Sequence, residues 1–115
     1  MSNIQIEDDS QQISDITAEI IDQIVEEYPR IQSLDFSSNL LTAVENLQRT
    51  SATLIAINLS HNHLDFSSGM TSALSHLYNL VQLNLSNNWI VSLQCSGIDK
   101  CTKLEDLNLA NNRIS

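Results

Sequence analysis

A chain of 115 residues fits one domain and leaves no room for a large multi-part enzyme. Five Lys and Arg against fourteen Asp and Glu give a net charge of −9, which repels phosphate backbones and anionic lipid, so neither nucleic acid nor a membrane is an expected partner. Apolar residues form 42% of the chain but never run on for the ~20 positions that a membrane-spanning helix requires.

In chain order, residues 1–30 read as an N-terminal cap. Ile4-Gln-Ile6 alternates like a degenerate strand over residues 3–6. The start lacks a basic stretch and an apolar core, so no secretory signal is expected. Thr17 is the expected N-cap of a helix that runs to about Tyr28 and stops at Pro29. Glu19 and Asp22 suit the positive end of its dipole, and Ile16 with Ile21 form a hydrophobic staple. Ile13, Ile16, Ile20 and Ile24, flanked by Ile21 and Val25, make a broad apolar stripe.

Composition changes near residue 30. Eight of thirteen isoleucines lie at or before Ile31, and all sixteen leucines lie at or after Leu34. Eight of the fourteen acids precede Arg30, the first basic residue. From there residues 31–115 repeat, with starts near 31, 54, 80 and 104. The four segments are Ile31-Gln-Ser-Leu34-Asp-Phe36-Ser-Ser-Asn39-Leu-Leu41, Leu54-Ile-Ala-Ile57-Asn-Leu59-Ser-His-Asn62-His-Leu64, Leu80-Val-Gln-Leu83-Asn-Leu85-Ser-Asn-Asn88-Trp-Ile90 and Leu104-Glu-Asp-Leu107-Asn-Leu109-Ala-Asn-Asn112-Arg-Ile114. Successive asparagines are 23, 26 and 24 residues apart.

This pattern resembles the leucine-rich-repeat family, whose L-x-x-L-x-L-x-x-N-x-L signature and 20 to 29 residue period fit all four segments. The resemblance implies an α/β solenoid, a right-handed superhelix with short parallel strands on its concave face and helices or turns on its convex face. It also implies a non-enzymatic module that binds proteins, without a cofactor. Similar members with short repeats include phosphatase regulators, ciliary and centrosomal scaffolds and substrate receptors of ubiquitin ligases.

The residues give physical reasons for such a coil. Leu-x-Leu reads as a strand with one buried face. Asn39, Asn62, Asn88 and Asn112 fall where the chain bends away, and an inward amide supplies both donors and an acceptor to backbone groups otherwise buried without partners. The second return segment is expected to be the most helical, because Met70, Ala73, Leu74 and Leu77 follow i, i+3, i+4, i+7. Val44 with Leu47, and Ile98 with Cys101, suggest shorter turns in the first and third returns. The fourth repeat lacks a return, so its edge is uncapped. The expectation is that further repeats follow Ser115 or that self-association covers this edge, because an open edge is an aggregation hazard.

Catalytic and metal chemistry find no constellation in this sequence. In His61-Asn62-His63 the inward asparagine sends the two imidazoles apart, and His76, Cys95 and Cys101 belong to other turns, so no metal site is expected. Cys101 occupies the slot that Leu77 takes in the preceding repeat and reads as core. Two cysteines are too few for a disulfide framework, which points to a cytoplasmic setting, with cytoskeletal, ciliary and nuclear sites included. Only two glycines occur, too few for a phosphate loop.

The expected binding surface is the concave sheet, where the side chains around Leu-x-Leu emerge in columns. Ser33, Asp35, Asn58, His61, Gln82, Asn84, Asn87, Asp106 and Asn108 form a small, polar, nearly uncharged face with acids at its two ends. The residues after the asparagines, Leu40, His63, Trp89 and Arg113, form a rim. Trp89, the sole tryptophan, is the first candidate anchor, the plainer reading being that it packs over the neighbouring turn. The expected partner is a peptide, a helix or the edge of a protein domain. Two alternatives stand beside this: an acidic inhibitor or regulatory subunit acting through the charged cap, and a targeting arm of a longer protein.

Overall fold

The computed structural model describes residues 3–5, 13–66, 74–93 and 96–114. Five parallel strands form one sheet in sequence order: β1 (Asn3–Gln5), β2 (Ser33–Asp35), β3 (Ala56–Asn58), β4 (Gln82–Asn84) and β5 (Asp106–Asn108). Each strand is only three residues long, because the chain must leave the sheet and return once per coil. The register holds from end to end, with Ile4, Leu34, Ile57, Leu83 and Leu107 aligned across the five strands. This is an α/β leucine-rich solenoid.

The helix α1 (Ala18–Glu27) begins where Thr17 Oγ1 accepts the Ile20 N–H at 3.2 Å, satisfying one of the donors that a helix start leaves open. Ile16, Ile21 and Ile24 are buried, with Ile13, Ile20 and Val25 packed against the same core. Arg49 pairs with Asp22 between the first return and the helix.

The leading segment also joins the first coil through its backbone. Ile13 N–H donates to Asn39 Oδ1 at 3.0 Å, and Leu40 N–H donates to the Ile13 carbonyl at 2.9 Å. The same two bonds recur at Leu41, Leu64 and Ile90 in the following coils. Ile13 therefore occupies the place that those residues hold in the following coils.

On the opposite side, the first return carries a 3₁₀ turn at Leu47–Thr50, with Val44, Leu47 and Thr50 buried, and the third carries one at Ile98–Lys100 after Gly97. The helical reading of the second return falls only in part on described residues. Met70 and Ala73 lie outside the described residues, while Leu74 and Leu77 are fully buried in a segment of turns, held by Leu77 N–H to the Leu74 carbonyl at 3.1 Å. Spacing that suits one helix face also suits two successive turns, since both place these leucines inward. No helix among the described residues is long and apolar enough to cross a membrane.

Candidate functional site

The asparagines link one coil to the next. Asn62 Nδ2 donates to Leu59 O and Ser60 O of its own bend and to Phe36 O of the preceding coil, at 3.0, 3.2 and 3.0 Å. Its Oδ1 accepts Leu41 N–H at 3.0 Å. Asn88 repeats the set with Leu85, Ser86, Leu59 and Leu64, and Asn112 with Leu109, Ala110, Leu85 and Ile90. Asn39 holds its own bend through Phe36 O and Ser37 O. The four amides thus lie in one row. No described buried side-chain nitrogen or oxygen is left without a partner.

The bend comes with a fixed conformational cost. The residue just before each asparagine is left-handed: Ser38, His61, Asn87 and Asn111 have φ of 59°, 57°, 57° and 59°. Asparagine tolerates this region better than most residues. None of the four is glycine.

The rows carried by this scaffold line a shallow groove of ≈ 400 Å³ on the sheet. Ser33, Ala56, Gln82 and Asp106 form one wall, and Asp35, Asn58, Asn84 and Asn108 the other. The second wall is held rigid by the backbone, since one side-chain oxygen of each member accepts the N–H two residues on, at 2.9 to 3.0 Å. Such Asx turns fix the carboxylate or amide in orientation, so the Asn58, Asn84 and Asn108 amide groups meet a partner already oriented. This role was not read from the sequence, although an Asp or Asn two residues before a bend is its usual sign.

The next column is closed to a partner at its middle. Ser60 and Ser86 are buried, which corrects the expectation that every position around Leu-x-Leu emerges on the sheet. His61 and Asn87 lie past the strand ends, outside the groove lining, with His61 Nε2 3.4 Å from Asn87 Nδ2.

Along the rim, His63 and Trp89 form a stack. Their ring centroids are 4.1 Å apart and their planes 3° from parallel, while Trp89 remains 52% exposed. Packing over the neighbouring turn and presentation to solvent therefore hold together. Leu40 is exposed at one end of this row and Arg113 at the other.

Cys101 is buried with its Sγ 3.5 Å from the Leu74 carbonyl, and burial, aided by the Asp99 carboxylate, pushes its thiol pKa up and keeps it protonated. Among the described residues, no three His, Cys, Asp or Glu side chains gather as a metal site.

Residues 79–101 match the family model described as Leucine Rich Repeat. The chain is similar to tubulin-specific chaperone E of Danio rerio, 37% identical over 93 residues, and to leucine-rich repeats and immunoglobulin-like domains protein 1 of Homo sapiens, 33% identical over 89. The matched stretches cover 76% and 77% of this chain but only 18% and 8% of those proteins. With one strand and one bend asparagine recurring at each step, and a family model that matches within the series, this chain is a leucine-rich-repeat solenoid.

Proposed function

We propose that the chain is a non-enzymatic binding module, or part of a scaffold, that holds an extended or helical segment of another protein across its concave sheet and against the His63–Trp89 rim. The observation that carries this reading is the stacked, half-exposed indole at the lip of a groove whose polar wall is fixed by the backbone. Stacking removes much of the conformational freedom that a surface tryptophan would lose on binding, and aromatic anchors of this kind carry a large share of interface energy. The five strands span about 19 Å at ~4.8 Å per step, enough for a peptide, one helix or a domain edge.

Residues 1–30 act as the cap of the solenoid and the following coils as its binding array. The free, buried thiol of Cys101 suits a reducing cytoplasm. The name of the Danio rerio relative, tubulin-specific chaperone E, makes tubulin the first partner to try.

The test is the binding of the labelled chain to purified tubulin dimers, followed by anisotropy in 150 mM and 500 mM salt. The expected result is saturable binding that Trp89→Ala weakens at least tenfold while the melting temperature moves by only a few degrees. Equal affinity of Trp89→Ala and the unmodified chain would overturn the rim's role. Loss of binding in the higher salt with no effect of Trp89→Ala would instead favour attraction by the acidic cap, since a Debye length near ~8 Å at physiological salt shortens further as salt rises.

A further inference from the structure

A second trough runs along the other edge of the sheet, before the strands begin, and it differs in character from the concave groove. Its volume is ≈ 410 Å³. Ile55 and Val81 form its floor, although the core does not require apolar residues at these positions and Ile55 is 39% exposed. Arg30 and Lys103 stand at its two ends, contributed by the first and fourth coils. The concave groove has the opposite pattern, with polar walls and acids, Asp35 and Asp106, on its outer coils.

Both cations are free to meet a ligand. Among the described residues the ion pair is Arg49 with Asp22, which leaves the Arg30 guanidinium without a carboxylate partner. Lys103 Nζ donates to Asn79 Oδ1 at 2.8 Å, and the Asn79 amide is itself anchored on the Ala52 carbonyl at 3.1 Å. This bond positions the ammonium over the trough and leaves its other donors available. In a chain of net charge −9, an apolar floor between two such cations is the place where an acidic ligand is attracted rather than repelled.

The backbone limits how the ligand is held. The carbonyls of Gln32, Ile55 and Val81 each already accept two N–H groups from the next coil, so the trough offers no ladder for an added strand. Recognition rests on side chains. From the first to the fourth coil is three strand steps, about 14 Å, and four residues of extended chain reach about 13 Å. In an extended chain, residues i, i+2 and i+4 face the same way.

We propose that this trough is a second binding site, independent of the concave face, for an extended peptide segment of the form acid-x-aliphatic-x-acid. The two carboxylates meet Arg30 and Lys103, and the aliphatic side chain rests on Ile55 and Val81.

The test titrates the full ¹⁵N-labelled chain with the blocked peptide Glu-Ser-Leu-Ser-Glu and follows amide shifts by NMR. Saturable shifts are expected at Thr53, Ile55, Val81 and Lys103, and Arg30→Gln with Lys103→Gln is expected to weaken binding at least fivefold while the remaining spectrum stays in place. Gln-Ser-Leu-Ser-Gln and Glu-Ser-Ser-Ser-Glu should each bind at least fivefold more weakly, and Trp89→Ala should change nothing. The proposal is overturned by absence of shifts at millimolar peptide, by shifts at Asn58, Asn84 and Trp89 instead, by indifference to the charge-removing variants, or by equal shifts with free glutarate, which would mean that the site takes any small anion.

Discussion

The coils at 80–90 and 104–114 carry the same motif with different consequences. Leu83, in the middle strand of its motif, is 2% exposed, whereas Leu107 in the same position is 39% exposed. Leu80, Leu85 and Asn88 are buried, and their counterparts Leu104, Leu109 and Asn112 are only partly so. The difference lies in the neighbours, since β4 has a strand on both sides and β5 has one. A coil of this kind is buried by the coils beside it, and the stability of the array resides in the interfaces between them.

The largest contrast between the two coils is expected when the same leucine is shortened in each. Leu83→Ala should cost about 2–5 kcal/mol, the range for emptying a closed core site, whereas Leu107→Ala should cost less than about 1 kcal/mol because water already reaches it. Urea denaturation of both variants decides this, and similar losses would show that burial does not govern the two positions.

Next in size is the asparagine pair. Asn88→Ala leaves the Leu64 N–H without its partner and takes one of two donors from each of the Leu59, Leu85 and Ser86 carbonyls, and should cost about 1–3 kcal/mol. Asn112→Ala should cost less than half as much, as water can replace part of its bonding. The same denaturation experiment ranks them.

A smaller, opposite effect is expected at the bend. His61 holds φ at 57° where the next coil already has Asn87, so His61→Asn should raise stability by about 0.5–1 kcal/mol. An unchanged or lower denaturation midpoint would mean that the imidazole contributes more than the backbone relief. The smallest effect belongs to Arg49→Ala. Both partners in its ion pair are exposed, so the loss should stay below about 1 kcal/mol and shrink further in high salt.

Much of the scaffold can be read from the sequence because period and polarity act locally. Ile57 and Leu59 flank Asn58 at strand spacing, Thr17 precedes a helical stripe, and the position before Asn62 requires a bend. Features that depend on two coils meeting are harder to read. The His63–Trp89 stack joins residues 26 apart, although their equivalent places in successive repeats carried the signal. The Arg30–Lys103 trough lies ahead of the columns around Leu-x-Leu and joins side chains from the first and fourth coils, which no single repeat shows. Ile55 and Val81, apolar at positions facing outward, were its visible trace. In the second return, the spacing of Leu74 and Leu77 places both inward whether they lie on a helix or on turns, so it fixes their burial and not their local conformation.

Amide hydrogen exchange in Asn88→Ala shows whether each asparagine joins its own coil to the one before. The Leu64 amide donates to the Asn88 side chain, whereas the nearby Phe36 amide donates to the Asn58 carbonyl and has no part in that link. Exchange at Leu64 is expected to accelerate about tenfold more than at Phe36, as a local opening would require. Equal acceleration at both amides would mean that the substitution lowers stability everywhere, and the side-chain link between coils would lose its support.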